Sequence, residues 1–504
     1  GKIRPGAGER DIEKTNSFPG FRPGTLMKIR IVTEGTAETG LGHIGRCTAL
    51  WEAFRTLGHE AEFVVSGGEA ARRLLQGKRA HFFDWVREPE RFTGLLAGVD
   101  IVVVDSYRAP LEIYEAAARA AGVRVWIDDY MRLDYPPGIV ANGTMLAERM
   151  PYRCRKESRY LLGADYIILR EEFREVPPKR IAPQIGKVLV TMGGSDVLGL
   201  TPGVLDMLAR RFPAWEKHVV MGSAAVTRKE AERAADERTT FYENLPAREM
   251  RRLMEKCDAA VSAAGQTLNE LARCGVPSVV FQVAENQTDN IRNWTEAGFI
   301  AGAVTLDGLA PALERLLPVG ERERIARIGQ SHVDGRGAVR IARAALGAAY
   351  ARKLSVRKAE EEDLMPLFGL ANDPVVRAAS FHSEPIPLET HRKWLKRVLE
   401  NPSVLLLVFR VDGKLAGQVR FDVEEGETVT SIGLAAPFRG YGLGPVLLKR
   451  ALAVFRAEYP RAPEVVAYIK AENRASRRSF EKAGYRPVGK TGENVFKYTY
   501  GKHV

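Results

Sequence analysis

The sequence predicts an α/β chain: two Rossmann-like parallel-sheet domains followed by a smaller α+β domain. Three observations predict it. Short, largely apolar, β-rich runs alternate with helix-period segments over two successive stretches. Several of these runs end in turns of glycine and small polar residues, where an open parallel sheet has its ligand crevice. From residue 354 the alternation gives way to hairpin-joined strands and another glycine-rich turn.

At 504 residues the chain exceeds one ordinary domain and suits about three. Its 45% hydrophobic and 27% charged residues are the proportions of a soluble globular protein. No apolar run reaches the roughly 18–20 residues of a membrane span, so no membrane span and a cytoplasmic location are expected. The formal charge is +12, but the arginines are dispersed along helices without interleaved aromatics. That argues against a nucleic-acid module and suits anionic small molecules. Cys47, Cys154, Cys257 and Cys274 lack CxxC spacing and read as small buried hydrophobes, with neither disulfides nor a metal site expected. Residues 1–26 are polar and Gly/Pro-rich without an apolar core, a flexible leader and not a secretory signal. The oligomeric state is not legible.

The first domain, 27–180, has strands expected at 29–32, 61–65, 101–104 and 123–127, with helices at 48–57, 70–76 and 111–121. Continuous apolar runs suit strands covered on both faces. Between the first strand and its helix stands Gly40-Leu41-Gly42-His43-Ile44-Gly45-Arg46-Cys47. Its glycines let the backbone approach a ligand, and the helix start behind them suits an anion. His43 is the candidate catalytic group; the plainer alternative is a tight βα connection. Asp105-Ser106-Tyr107 and Asp128-Asp129-Tyr130 end two further strands, and their alternative reading is capping. Val176-Pro177-Pro178-Lys179-Arg180 reads as a linker and hinge.

The second domain, 187–350, opens with a strand running into Gly193-Gly194-Ser195-Asp196, expected to cradle phosphate ahead of a helix. Strands at 259–262 and 276–281 end in Ala264-Gly265-Gln266-Thr267 and Glu285-Asn286-Gln287. The three turns look like one nucleotide pocket. Helices are expected at 268–273 and 338–349. Two Rossmann-like halves with a crevice between them is the GT-B arrangement.

The third domain, 354–504, has strands expected at 355–359, 404–411, 415–421, 428–434, 465–469 and 495–498. Asp412-Gly413-Lys414 signals a hairpin. Helices are expected at 361–370, 445–458 and 474–483. Arg439-Gly440-Tyr441-Gly442-Leu443-Gly444 lies between a strand and a helix. Backbone N–H groups in such a turn can hold a pyrophosphate, and side chains would obstruct it.

Residues 27 to about 350 resemble the PseG UDP-sugar hydrolases of pseudaminic acid biosynthesis, relatives of the MurG-type glycosyltransferases. The shared residues are Gly42-His43-Ile44-Gly45-Arg46-Cys47, Val104-Asp105-Ser106-Tyr107, Ile127-Asp128-Asp129, Leu161–Tyr166, Leu169–Phe173, Gly193–Asp196, Ala264–Glu270 and Asn286-Gln287. The resemblance implies hydrolysis of the bond between a sugar's anomeric carbon and UDP, with His43 as catalytic histidine. A free imidazole titrates near neutral pH and can take a proton from water. Gly193, Gly194 and Ser195 would cradle phosphate, Glu270 would take the ribose hydroxyls, and Asn286 and Gln287 would contact phosphate or sugar. Gly42, Gly265 and Thr267 complete the nucleotide and sugar set. Arg46, Asp105, Tyr107 and Asp129 are candidates in the same set; an arginine one turn after His43 is equally a helix-surface or structural residue. Two departures stand out. The family usually has an aspartate where Thr33-Glu34-Gly35 stands here, and a polar, His-containing stretch where Tyr130–Tyr135 stands here.

Residues 354–500 resemble the GNAT N-acetyltransferases, near the subgroup of PseH and the ribosomal-protein acetyltransferases. Arg439–Gly444 matches the superfamily's Q/R-x-x-G-x-G/A loop. The resemblance implies acetyl-CoA bound by Leu434, Arg439, Gly440, Gly442, Leu443, Gly444 and Asn473. Phe480 stands where many members carry a tyrosine acid, leaving Tyr485 as a weak substitute. His382, Glu384 and His391 lie in the acceptor segment, and no base is assigned. Together the halves imply a bifunctional enzyme that acetylates a UDP-4-amino sugar and then removes UDP, with no metal. The alternatives are a GT-B glycosyltransferase, a GNAT acting on another amine or a protein N-terminus, and a non-enzymatic UDP-sugar sensor.

Overall fold

The computed structural model describes residues 25–36, 39–194, 196–222, 227–492 and 494–501. All but the last two residues of the expected leader, and Ser195, lie outside the described residues. The chain divides into one unit, Met27–Ala345, and a second that holds Leu346–Val504.

Seven strands form the first sheet: β1 (Ile29–Gly35), β2 (Ala61–Gly67), β3 (Ala80–Phe82), β4 (Ile101–Asp105), β5 (Val123–Ile127), β6 (Ile139–Asn142) and β7 (Arg159–Leu162). Their order is β3-β2-β1-β4-β5-β6-β7, and every neighbouring pair is parallel. Because β2 and β4 flank β1, the connections leaving β1 and β4 diverge and open a crevice at their carboxyl ends. Every residue of β4 is buried, as is every residue of β1 except Arg30. Each Val or Ile so buried contributes about 1.5–3 kcal/mol. β3, β6 and β7, three or four residues long, are too short to show a period.

The second sheet is β8 (Lys187–Thr191), β9 (Glu216–Met221), β10 (Thr239–Glu243), β11 (Ala259–Ala263) and β12 (Ser278–Phe281). It is parallel in the order β10-β9-β8-β11-β12. Two such sheets in one unit make the GT-B arrangement. The order hides β9 from sequence reading, because Lys217 is fully buried there through its 2.5 Å ion pair with Asp236.

The stretch expected to be a hinge is fastened to the second domain. Arg273 donates to the carbonyls of Phe173 and Arg174, and Gln330 donates to that of Pro177. The Lys179 ammonium caps the carbonyls of Met254, Glu255 and Cys257. Arg322, with no exposed surface, donates to Ala182, Pro183 and Leu316 carbonyls. A proline-rich segment has few N–H donors of its own, so its carbonyls recruit side-chain donors. The closing helix is longer than expected, Gly337–Lys353.

The second unit carries a sheet of β13 (Leu354–Lys358), β14 (Val404–Val411), β15 (Lys414–Val423), β16 (Glu427–Leu434), β17 (Glu464–Lys470), β18 (Arg486–Lys490) and β19 (Val495–Tyr500). The order is β13-β14-β15-β16-β17-β19-β18. All neighbours are antiparallel except β16 and β17, which run parallel and pair only over Glu427–Val429 and Glu464–Val466. The strands then separate. Asp412 and Gly413, both at positive φ, form the expected hairpin turn. No described helix is long and apolar enough to cross a membrane. Cys47, Cys257 and Cys274 are buried as expected, but Cys154 is exposed.

Candidate active site

The helix Gly42–Thr56 starts inside the glycine-rich turn, and Gly40 takes a φ of +67° to deliver the chain into it. Residues three and four apart share a helix face, so His43, Arg46 and Cys47 all point at the end of β4. There Asp105 has no exposed surface. Its Oδ1 lies 2.7 Å from His43 Nδ1, and Arg46 donates to both its oxygens at 2.6 Å. Cys47 Sγ donates to Oδ2 at 3.4 Å. Arg46 also donates through Nη1 to both oxygens of Asp129 at 2.8 Å, so it bridges two carboxylates and is no surface arginine.

Burial alone would raise the Asp105 carboxyl, but Arg46 and His43 outweigh it and hold it well below the usual carboxylate range. An ionised Asp105 accepts from Nδ1–H, and in the tautomer this favours the imidazole lone pair sits on Nε2. Asp105 itself does not line the cavity beside His43; it bonds to His43, Arg46 and Cys47. Tyr107 places its ring edge-on to His43, centroids 4.3 Å apart, and donates its hydroxyl to Asp129. Glu34, the departure from the family pattern, is fully buried and accepts from Ser106 Oγ and the Tyr107 N–H. It holds the loop that carries Tyr107.

A cavity of about 220 Å³ opens beside His43. One wall holds Gly42, His43, Arg46, Tyr107 and Asp129. The facing wall holds Gly265, Gln266 and Asn269 at the start of the helix Gln266–Cys274, then Asn286, Gln287 and Asn290. Gln266, Asn269 and Asn290 are absent from the sequence-derived set. Their signal was there: i, i+3 spacing in Gln266/Asn269 and i, i+4 in Asn286/Asn290. A helix N-terminus with amides around it offers donors to an anionic group.

Gly193 and Gly194 are exposed and do not line this cavity. No helix follows them directly. The next one, Leu200–Arg211, has its first N–H groups taken by the Asp196 carboxylate, at 2.9 Å from Leu200 and 3.1 Å from Thr201. The N–H groups of that helix start are therefore already taken, and any phosphate cradle there rests on the backbone of Gly193 and Gly194. Thr267 lies in the first turn of the cavity-facing helix but outside the lining. Glu270 is buried and receives Arg170 Nε and Nη2 at 3.1 and 2.8 Å. Burial raises its carboxyl and Arg170 opposes the rise.

In the second unit β16 ends at Leu434, and Arg439–Gly444 leads into the helix Gly444–Glu458. Gly440 and Gly442 sit at φ of +80° and +73°. The space at Gly442 is open, whereas a Cβ on Gly444 would stand 2.7 Å from Ser479 Oγ. The loop therefore fits a pyrophosphate held by backbone N–H groups. The Arg439 guanidinium is a strut: Nε donates to the Leu434 carbonyl and Nη2 pairs with Asp373 at 2.8 Å. Leu443 is buried, and Asn473 caps the helix Arg474–Ala483 by accepting from the Ser476 N–H. Tyr485 is buried against Phe480, and burial pushes its hydroxyl up to about 12. His391 is buried between Phe368 and Trp394. His382 and Glu384 are exposed.

Residues 353–486 match the model of the acetyltransferase (GNAT) domain. A Helicobacter pylori protein named pseudaminic acid cytidylyltransferase and UDP-2,4-diacetamido-2,4,6-trideoxy-beta-L-altropyranose hydrolase is 26% identical over 293 residues, 58% of this chain and 51% of that one. The chain thus spans about half the length of that relative. An uncharacterized protein of Methanocaldococcus jannaschii is 23% identical over 73% of this chain and 78% of its own. The spore coat polysaccharide biosynthesis protein SpsG of Bacillus subtilis is 23% identical over 62% of this chain and 96% of its own.

Proposed function

We propose that this chain, a GNAT acetyltransferase domain behind a half similar to PseG-type UDP-sugar hydrolases, performs two consecutive steps on one nucleotide sugar. The tail acetylates the 4-amino group of a UDP-4-amino-4,6-dideoxy-N-acetylhexosamine. The N-terminal half then hydrolyses the UDP-2,4-diacetamido-2,4,6-trideoxyhexose to free sugar and UDP. The His43–Asp105 pair at the crevice between β1 and β4 carries this reading.

In the hydrolysis, His43 Nε2 takes a proton from a water molecule whose oxygen attacks the anomeric carbon. The carbon–oxygen bond to UDP breaks, and its electron pair leaves with the pyrophosphate. Asp105 stabilises the imidazolium that forms, because its charge already lies 2.7 Å away. The growing phosphate charge meets the N-terminus of the helix Gln266–Cys274 and the amides beside it. UDP is a good leaving group, so positioning of water and substrate is the main task. Glu270 binds the ribose, and Asn286 and Gln287 the phosphate or sugar.

In the acetyl transfer, the amine nitrogen attacks the thioester carbonyl, the amine loses a proton, and coenzyme A departs as the thiol. The Arg439–Gly444 loop presents its N–H groups to the coenzyme pyrophosphate. Tyr485 and His391 are both buried in packing. The proton that the amine loses is matched by the one that the departing thiolate gains, and solvent can carry it between them.

A mass-spectrometric time course with the UDP-4-amino sugar, with and without acetyl-CoA, tests the order. Acetylated UDP-sugar ahead of UDP and free diacetamido sugar supports it. UDP release without acetylation, or a glycoside in place of free sugar, sinks it.

A further inference from the structure

The match to the acetyltransferase domain begins at residue 353, yet the preceding two helical turns are built into the glycine-rich loop of that domain. A Cβ placed on Gly347 would lie 2.0 Å from the carbonyl oxygen of Tyr441, the residue between the two positive-φ glycines. Only a glycine lets the helix and the loop backbone come that close. Three residues on, Tyr350 has no exposed surface and sets its ring edge-on to both Phe438 and Tyr441, at 5.3 and 5.2 Å. Arg450, on the helix that the loop leads into, donates to the carbonyls of Ala351 and Leu354. The end of the Gly337–Lys353 helix is thereby clamped from two sides.

Arg439 and Gly444 fix the two ends of the loop, and the helix meets it between them, at Tyr441. Gly440 and Gly442 are the most permissive residues available, and no neighbour lies within 4 Å of a Cβ at Gly442. A loop that binds through its N–H groups loses affinity if those groups wander, since ordering them is then charged to binding. A rigid helix surface against Tyr441 removes that cost.

We propose that Gly347 and Tyr350 are positioning residues of the acetyl-CoA site: they hold the Arg439–Gly444 backbone in its coenzyme-binding conformation. The acetyltransferase domain then functionally begins near residue 346, not 353. This rests on the reading of that loop as the coenzyme site.

The test uses the full chain with Gly347→Ala, Tyr350→Leu and Tyr350→Phe, and measures acetyl-CoA affinity by calorimetry together with KM and kcat for acetyl transfer. Alanine is the better helix former by about 1 kcal/mol, so any loss in Gly347→Ala cannot come from a weaker helix. Both Gly347→Ala and Tyr350→Leu are expected to weaken acetyl-CoA binding by roughly 10–100-fold, the scale set by ångström displacements of binding groups. The KM for acetyl-CoA should rise with kcat and the amine KM little changed, and Tyr350→Phe, which keeps both ring contacts, should recover most of the affinity. Wild-type affinity in folded Gly347→Ala or Tyr350→Leu overturns the proposal. So does a loss in Tyr350→Phe as large as in Tyr350→Leu. No binding of acetyl-CoA by the wild-type chain overturns instead the reading of the loop.

Discussion

Asp105 Oδ1 lies 2.7 Å from Nδ1 of His43, and both groups are buried. The carboxylate decides which ring nitrogen keeps the proton. It also carries the bidentate Arg46, so its charge is balanced before any substrate arrives.

Asp105→Asn should therefore damage chemistry more than shape. An amide nitrogen facing Nδ1 would donate where the carboxylate accepts, favouring the wrong tautomer. UDP release is expected to fall about 10³-fold in kcat, by analogy with other His-orienting aspartates, with acetyl transfer unchanged. Steady-state assays of both half-reactions check this, and a kcat for UDP release within a few-fold of wild type would refute it.

The same pair predicts a pH-dependent contribution to stability. A carboxyl depressed in the folded state contributes stability above its unfolded value of about 3.9. That contribution is lost as pH falls through the folded value, because the unfolded state binds protons first. The difference in urea midpoint between wild type and Asp105→Asn should shrink between about pH 4 and pH 2. A constant difference would contradict the assignment.

His43→Ala and Gly442→Trp should separate the activities. His43→Ala is expected to lose UDP release by about 10³-fold or more while acetyl transfer continues. Gly442→Trp should do the reverse, since its φ of +73° suits glycine and bulk there obstructs the loop. Loss of both activities in either folded variant would contradict two separate sites.

Arg322→Leu should destabilise without touching chemistry. It would remove the guanidinium from its fully buried place and take the donor from the buried Leu316 carbonyl and from the more exposed ones of Ala182 and Pro183. The expected cost is about 2–4 kcal/mol in urea unfolding, with kcat for UDP release near wild type below the transition. A drop under 0.5 kcal/mol would mean that water or other donors replace the guanidinium, a roughly surface-like outcome.

Much of the fold was legible because apolar strands and helix periods are local. β5, β14 and the helix Arg474–Ala483 begin and end where periodicity places them. β9 was not legible, since a charged Glu216-Lys217-His218 start looks like solvent-facing chain until Asp236 is brought to Lys217. At the site, His43 and the loop glycines could be singled out by local geometry, but the work of Arg46, Glu34 and Asp105 could not. Each is defined by partners 59 to 83 residues away.

By itself the sequence determined the α/β class and the two kinds of glycine-rich turn, because strands, helices and turns are short-range consequences of residue type. Only the tertiary structure decided which carboxylates are internal supports, which helix N-terminus is free and which is capped, and that Gly347 lies against Tyr441. Those outcomes depend on groups distant in sequence arriving within hydrogen-bond or van der Waals range, and no local pattern encodes such a distance.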